Sequence, residues 1–238
     1  MNECSDVFRQ RIHPLEVDDY YHVLDSANIA AVAYWWEFLN RVAHLEFESI
    51  VECGVGRARS LSILLTLTRL LSECRGCTQK TVFAFDSFSG FPPPRPEDKS
   101  SRDPKEGEWS WSPNWQYQYS ISSTRQVLNK AGLSDELKRL RLVEGFFADT
   151  CASTDTGSIG ILHLDGDLYE STFTPLETLG PRVVSGGLIV VDDYVLDWSE
   201  PSQEPFPGCR KAVEEFLNRH SEFSLHKSMR GTPYLVRA

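Results

Sequence analysis

Residues 159–194 read IGILHLDGDLYESTFTPLETLGPRVVSGGLIVVDDY, and the topology of the chain can be worked out from this stretch. The apolar run at Ile159–Leu164 predicts a buried strand, and the run at Gly187–Val191 predicts another. Between them, the segment Thr172–Leu179 predicts a helix. This is the pattern of a βαβ unit, in which two parallel strands lie side by side and a helix crosses one face.

The same alternation of strands and helices extends in both directions along the chain. Strands that alternate with helices predict one α/β domain, with a mainly parallel sheet covered on both faces. A chain of 238 residues suits one such domain. The further predicted strands are Phe47–Cys53, Thr81–Phe85, Leu140–Glu144, Ser224–Lys227 and Tyr234–Arg237, and the further helices are Arg57–Leu71, Ser122–Ala131 and Cys209–His220.

The N-terminal segment predicts a helical cover. Apolar residues recur at steps of three and four within residues 16–45, which is the spacing of a buried helical stripe. We therefore expect a cover at residues 1–46 and the main domain at residues 47–238. The residues of the predicted stripe are Val32, Trp35, Trp36, Leu39 and Val42.

Two segments break the regular pattern. Phe91–Tyr119 is rich in proline, charge and aromatic residues, and a loop of this length in a compact domain is usually a lid or a binding loop. Its tryptophans at 109, 111 and 115 favour a lid over a linker, which has no use for three large aromatic side chains. The second segment, Leu196–Gly208, follows another strand end. Ligands of open α/β sheets bind at the carboxyl ends of the strands, from which both segments leave.

Composition excludes some classes of function. Hydrophobic residues make up 41% and charged residues 24%, with a net charge of −10 and no basic run, which disfavours nucleic acid as a partner. No apolar run is long enough to cross a bilayer, so no membrane association is expected. The polar, acidic N-terminus does not resemble a signal peptide, and a cytoplasmic protein is expected. A homo-oligomer is compatible with this composition.

Four aspartates follow two of the predicted strands. Asp165 and Asp167 come after the strand at 159–164, and Asp192 and Asp193 come after the strand at 187–191. Because neighbouring parallel strands end at one edge of the sheet, at least three of these carboxylates should converge there. No lysine or arginine lies near them in sequence, and a hard divalent cation such as Mg²⁺ would neutralise them. The alternative is a set of solvated or helix-capping aspartates.

A glycine turn follows the first predicted strand, in the sequence VECGVG at residues 51–56. Glycines let the backbone turn sharply and approach a ligand closely. Arg59 stands where a dinucleotide-binding motif has its last glycine, which disfavours pyrophosphate binding. Glu52 suits a cationic, amine-bearing ligand, and Asp86 at the end of the next strand can accept hydrogen bonds from a ribose. A strand–helix turn without a ligand is the alternative.

With these segments in hand, the chain resembles the macrocin O-methyltransferase (TylF-type) family, whose members methylate sugar hydroxyls on antibiotic precursors. The resemblance spans roughly residues 47 to 220, and its most specific motifs are DGDLYES (165–171) and VVDDY (190–194). It implies the Rossmann-like class I methyltransferase fold, with a mostly parallel seven-stranded sheet, helices on both faces and an N-terminal helical segment.

The resemblance also implies a reaction and its residues. S-adenosylmethionine would be the cofactor, and a hydroxyl of a small, glycosylated acceptor would receive the methyl group, with 91–119 as lid or acceptor-binding loop. Asp167 would be the general base, and Asp165, Asp192 and Asp193 would bind Mg²⁺ or another divalent cation. The implied cofactor-binding residues are Glu52, Gly54, Val55, Gly56, Ser60, Asp86 on the ribose, Ser87, Gly145 and Phe146.

Three other functions fit part of the pattern. A catechol-type methyltransferase would share the metal and the fold, but that family completes its metal site with Asp-Asn, where this chain has Asp192-Asp193. A phosphatase of the haloacid dehalogenase type would use Asp165 and Asp167, but on the first strand of its fold. A non-catalytic cofactor-binding module is the third alternative, and the presence of Asp167 argues against it.

Overall fold

The computed structural model describes residues 26–112, 115–194 and 204–238. The positions of the strands and helices agree closely with the sequence analysis, most boundaries lying within three residues. The helices are α1 (Ser26–Val42), α2 (Arg59–Arg75), α3 (Ile121–Lys130), α4 (Phe147–Thr150), α5 (Tyr169–Leu179) and α6 (Pro207–Arg219). The strands are β1 (Ser49–Cys53), β2 (Thr81–Asp86), β3 (Leu140–Glu144), β4 (Ile159–Leu164), β5 (Val183–Val191), β6 (Phe223–Lys227) and β7 (Pro233–Arg237).

The seven strands form one sheet in the order β3-β2-β1-β4-β5-β7-β6. β7 pairs antiparallel with both β5 and β6, and the other pairs are parallel. The register aligns the strand ends, since Leu164 pairs with Cys53 on one side and with Val191 on the other. The fold class predicted from the sequence is therefore confirmed.

The central strands are buried along their whole length. Every residue of β1 and of β4 is buried, as expected for parallel strands covered by helices on both faces. Such strands are normally continuous apolar runs, and this sheet departs from that pattern at Glu52 and His163, which are neighbours across β1 and β4. The two polar side chains therefore need a partner inside the core.

The N-terminal helix packs on the domain through a stripe that overlaps the predicted one. Three residues of the predicted stripe are buried, together with Tyr34 and Phe38, whereas Val32 is 43% and Trp36 39% exposed, so the prediction for those two residues is wrong. Either face satisfies helical spacing, and periodicity alone does not choose between them. The observed face buries Tyr34 because its hydroxyl reaches Thr232, at 3.3 Å.

The first part of the long loop is fastened to the domain. Asp98 is 2% exposed, and its carboxylate accepts hydrogen bonds from the amides of Arg95 (2.7 Å) and Tyr169 (2.6 Å). The second of these bonds satisfies a free amide at the start of α5. Arg95 in turn forms an ion pair with Glu170, at 2.7 Å. This half of the loop is thus bonded to the start of α5.

Two further observations complete the fold. Within the ranges given above, no helix combines the length and the apolarity that crossing a bilayer requires. Cys53, Cys151 and Cys209 are buried free thiols inside the core.

Candidate active site

A cavity of about 1410 Å³ opens at the carboxyl ends of the central strands. It exceeds the roughly 300–1000 Å³ of common small-molecule sites, so it has room for two ligands together. All but two of the site residues predicted from the sequence line it. Those that do are Gly54, Val55, Gly56, Ser60, Asp86, Ser87, Phe146, Asp165, Asp167, Asp192 and Asp193.

The glycine turn after β1 is shaped by its backbone and held by Asp86. Gly54 has a φ of +98°, and a Cβ there would collide with the main-chain carbonyl of Asp165. Gly56 has a φ of +47° and faces open space. One carboxylate oxygen of Asp86 accepts hydrogen bonds from the amides of Val55 (2.8 Å) and Gly56 (3.1 Å). Asp86 therefore braces the turn from the neighbouring strand.

Glu52 does not line the cavity but lies beneath it. Its Oε1 is 3.1 Å from Nδ1 of His163, and both side chains are buried. Burial acts to lower the pKa of His163, but the hydrogen bond to Glu52 and the charges of Glu52, Asp165 and Asp192 together outweigh it, and the pKa is raised. Among the described residues, neither Glu52 Oε2 nor His163 Nε2 has a hydrogen-bond partner. His163 does line the cavity, so it stands between Glu52 and any ligand.

Gly145 is the second predicted residue outside the cavity lining. It follows β3 with a φ of +137°, and its amide donates to the main-chain oxygen of Asp86, at 3.0 Å. This bond links the ends of two neighbouring strands behind the glycine turn. The roles of Glu52 and Gly145 in cofactor binding stay predictions.

The aspartates that follow β4 and β5 converge as the βαβ pattern predicts. The amide of Asp165 donates to Cys53 O and the amide of Asp192 to Leu164 O, both at 2.9 Å, so the strand ends are tied together. Burial, and then the carboxylates of Asp193 and Asp192, raise the pKa of Asp165 well above its usual value. Burial, and then Asp167, raise the pKa of Asp193 in the same way.

Asp167 occupies an unusual backbone conformation. Its φ is +61°, in the left-handed region that aspartate tolerates better than most side chains, and its amide donates to Oδ2 of Asp193 at 2.8 Å. Burial, followed by the charge of Asp165, raises the pKa of Asp167 to about 7. A carboxylate of that pKa can take and release a proton near neutral pH.

The carboxylates have a counterion that the sequence did not indicate. Arg230, in the turn between β6 and β7, places its guanidinium nitrogens 2.6 and 3.4 Å from the two oxygens of Asp192. The same guanidinium lies over the ring of Tyr34, 5.0 Å from its centre. No basic residue lies near this cluster in the sequence, but in the folded chain one of them pairs with it. The expectation that the cluster has no basic partner is therefore wrong.

The site offers oxygen donors for a divalent cation, but these donors are not arranged around a common point. Carboxylates gathered at one sheet edge are the donors that a hard cation prefers, so the donor set fits Mg²⁺. Over the residues that the structure covers, however, no group of three or more His, Cys, Asp or Glu side chains is arranged to hold an ion. The ion pair to Arg230 occupies Asp192, so a cation that uses Asp192 must compete with Arg230.

The outer wall of the cavity comes from the long loop. Arg102 forms an ion pair with Glu108 at 2.7 Å, and its guanidinium lies 5.1 to 5.9 Å from the centres of three aromatic rings. Its charge acts to lower the pKa of Asp167, so it connects the loop with the carboxylates. The three rings are those of Phe91, Trp109 and Phe206.

Sequence reasoning missed several residues of this cavity. Arg230 could have been found from topology, since a final antiparallel strand beside β5 brings its preceding turn to the same sheet edge. His163 is buried in the core and also lines the cavity. Trp35, on the N-terminal helix, also lines the cavity, and no local motif marks it.

The chain is similar in sequence to known methyltransferases. The chain is 33% identical over 172 residues to the 8-demethyl-8-(2,3-dimethoxy-alpha-L-rhamnosyl)-tetracenomycin-C 4'-O-methyltransferase of Streptomyces olivaceus, covering 72% of this chain and 58% of that protein. The chain matches 57 to 61% of the length of such curated relatives.

Solved structures share the fold. The calicheamicin methyltransferase CalS11 superposes with a TM-score of 0.74 at 21% identity, over 94% of this chain and 86% of that one. The O-methyltransferase NovP gives a TM-score of 0.64 at 26% identity, over 89% and 79% of the two chains. The family model of macrocin O-methyltransferase (TylF) matches residues 39–227, which is most of the sequence. The chain therefore belongs to the macrocin O-methyltransferase (TylF) family.

Proposed function

We propose that this chain transfers a methyl group from S-adenosylmethionine to a hydroxyl of a sugar carried by a small natural product. The observation that carries the proposal is that one cavity joins the glycine turn at Gly54 and Gly56 to the carboxylate of Asp167. A cofactor held at the turn and an acceptor held near the carboxylate would thus share one cavity.

The residues at the glycine turn fit the cofactor. Gly56 turns an empty position toward the cavity, which leaves room for a ligand against the main chain. Asp86 accepts hydrogen bonds from the turn and has lone pairs left for ribose hydroxyls, since a carboxylate has about four acceptor sites. When bound there, S-adenosylmethionine supplies a methyl group already activated by its positive sulfur.

Asp167 is proposed as the general base. The acceptor hydroxyl loses its proton as its oxygen bonds to the methyl carbon and the carbon–sulfur bond breaks, and Asp167 accepts that proton. Its hydrogen bond from the main chain to Asp193 fixes its position on the cavity wall. Alignment of the acceptor by the walls of the cavity would contribute much of the rate, because the reaction needs three atoms in line.

A divalent cation is a second part of the proposal. Asp165, Asp192 and Asp193 would hold it, and it would lower the pKa of the acceptor hydroxyl. Support comes from the chemistry of the donor set, three carboxylates at the end of two adjacent strands. Because Arg230 is bound to Asp192, the cation is expected to bind with displacement of that guanidinium.

The acceptor class follows from the family and the relatives. The Streptomyces olivaceus relative is described as acting on a rhamnosyl group of tetracenomycin C, and we extend a sugar hydroxyl to this chain on that basis. A catechol acceptor and a phosphoester substrate remain as rivals. The Asp-x-Asp motif follows β4, whereas the phosphatase interpretation requires it after the first strand.

The test uses purified protein with S-adenosylmethionine labelled in its methyl group. Rhamnosides, catechol and p-nitrophenyl phosphate are assayed in parallel, and calorimetry measures binding of S-adenosylhomocysteine, the product of the cofactor. We expect label in a rhamnoside and none in catechol, with no phosphate release. Absence of S-adenosylhomocysteine binding would contradict the proposal, as would label in catechol alone.

A chelator tests the cation separately. We expect EDTA to abolish methyl transfer and added Mg²⁺ to restore it. Methyl transfer that persists in excess EDTA would remove the cation from the mechanism and leave the methyltransferase assignment intact.

A further inference from the structure

One corner of the cavity lies between the N-terminal helix, the start of α2 and the end of β4. Arg59 joins the two helices there, since its Nη2 donates to the main-chain oxygen of Ala27 at 2.7 Å. We call this region the α1 corner. It is lined by Ala31 and Trp35 of α1, Arg59 and Ser60 of α2, and His163 of β4.

The floor of the α1 corner is an imidazole with one unpaired nitrogen. His163 is 1% exposed, its Nδ1 lies 3.1 Å from Oε1 of Glu52, and the edge-on ring of Trp35 has its centre 4.6 Å away. Its Nε2 has no hydrogen-bond partner among the described residues, although buried polar atoms nearly always have one. Because His163 lines the cavity, a ligand in the α1 corner can supply that partner.

The wall of the α1 corner is the start of α2. This helix of 17 residues begins after Ala58, and no side chain caps it. The first amides of a helix are free donors that favour a negative group. Arg59 in the first turn adds positive charge at the same place. The wall therefore suits a carboxylate of the ligand.

Negative charges lie on the opposite side of His163 from this wall. Asp165 follows His163 by two residues, and its main-chain oxygen lies where a Cβ on Gly54 would be. The carboxylates of Asp165 and Asp192 are close enough to raise the pKa of His163. These carboxylates favour a cationic group. A ligand end that carries an ammonium and a carboxylate together, as an amino acid does, matches both sides of the corner.

We propose that the α1 corner binds the amino-acid end of S-adenosylmethionine, and that His163 contacts this end through Nε2. Glu52 is a positioning residue, because it holds the imidazole from beneath the cavity and acts on the cofactor only through His163. The adenosine part would extend across the glycine turn toward Asp86. This inference rests on the proposed function, since it assigns one end of the same cofactor.

The experiment compares two probes that differ in the amino-acid end. S-adenosylhomocysteine and 5′-methylthioadenosine, which keeps the adenosine and the sulfur but lacks that end, are titrated by calorimetry. We expect the wild-type protein to bind S-adenosylhomocysteine at least tenfold more tightly than 5′-methylthioadenosine, about 1.4 kcal/mol. His163→Phe keeps a ring against Trp35 but removes Nε2. It should weaken S-adenosylhomocysteine at least tenfold and change 5′-methylthioadenosine by less than about twofold.

Three further variants sharpen this comparison. His163→Gln places an amide where Nε2 lies and should lose less affinity for S-adenosylhomocysteine than His163→Phe. The double variant Glu52→Gln with His163→Phe avoids a buried carboxylate without a partner, which could itself unfold the protein. His220→Phe is the matched control, because Nδ1 of His220 also lies 3.1 Å from a glutamate, Glu222, outside the cavity lining. It should change neither affinity.

The outcomes separate this inference from the proposed function. If the wild-type protein binds neither probe, both are wrong. If it binds both probes equally well, the inference alone is overturned. The double variant decides between contact and structure: a loss confined to S-adenosylhomocysteine supports the contact with His163. An equal loss for the two probes, or no loss for either, overturns it.

Discussion

The two ends of the cavity are built in different ways. At the inner end, the glycine turn is held by main-chain amides that donate to Asp86 and by strand ends that bond to each other. At the outer end, the walls are Trp109, Arg102 and Phe206, held by an ion pair and ring contacts. The inner end comes from short motifs beside strands, and the outer end from a long segment between β2 and α3 together with Phe206, which precedes α6.

We infer from this difference that the inner end serves a function that related proteins share, and that the outer end serves one that varies between them. Main-chain geometry at the inner end leaves few choices of side chain, because Gly54 has no space for a Cβ. Ion pairs and exposed rings at the outer end can be exchanged without disturbing the sheet. We therefore expect variants at the inner end and at the carboxylates to alter cofactor binding or chemistry, and variants at the outer end to alter acceptor choice.

The largest loss of turnover is expected from a substitution at the boundary between the two ends. Asp167→Asn keeps the shape of the side chain and a residue tolerant of the left-handed conformation, but removes the base. The turnover number should fall by roughly a hundredfold or more, the usual scale for loss of a general base. Affinity for S-adenosylhomocysteine should stay within about twofold by calorimetry, about 0.4 kcal/mol.

Asp103→Asn is the control for that experiment. Asp103 also has a left-handed φ, of +51°, yet it lies outside the cavity lining and should tolerate the change without loss of turnover. If the Asp167→Asn protein remains active, another group or water must accept the proton.

The next largest effect tests the inner end. Asp86→Ala removes the acceptor that braces Val55 and Gly56, and S-adenosylhomocysteine should bind at least tenfold more weakly, about 1.4 kcal/mol. Asp86→Asn retains one oxygen acceptor and should lose less. Asp135→Ala, outside the cavity, is the charge-matched control. Unchanged affinity in the Asp86→Ala protein would place the cofactor elsewhere.

The smallest effect concerns the counterion of Asp192. Arg230→Gln removes the ion pair, and Mn²⁺, followed by electron paramagnetic resonance, should bind about threefold more tightly, since such exposed pairs are worth up to about 1 kcal/mol. Arg219→Gln, which breaks a surface pair with Glu177, should leave Mn²⁺ affinity unchanged. Equal affinity in the wild-type and Arg230→Gln proteins would show that Arg230 and the cation do not compete.

Sequence reasoning succeeded where the chemistry is local. The strands at 140–144 and 159–164 were predicted with the bounds that the structure has. The second is a buried run of mainly apolar residues, as expected for a central parallel strand, whereas the first is a partly exposed edge strand. The convergence of Asp165 with Asp192 followed from the βαβ pattern. These inferences need only the order of elements and the rule that parallel strands end at one edge.

Sequence reasoning failed where the position of a residue depends on a partner that is distant in the sequence. Tyr34 is buried through a contact with Thr232, and Arg230 reaches Asp192 across 38 positions. The contact of Glu52 with His163, on the next strand of the sheet, was not predicted either, and the role of Glu52 in cofactor binding stays a prediction. Neither spacing nor composition encodes such pairings, because they depend on how the sheet is ordered.

The placement of β7 between β5 and β6 has a consequence for synthesis on the ribosome. β7 is the last of these strands to be translated, so the nascent chain exposes the unpaired edge of β5 until residues 233–237 have emerged. An open edge of this kind can pair with other chains. Arg230 emerges just before β7, so the carboxylates gain their counterion at about the time the edge closes. Protection from aggregation and completion of the cavity wall thus coincide at the end of translation of this segment.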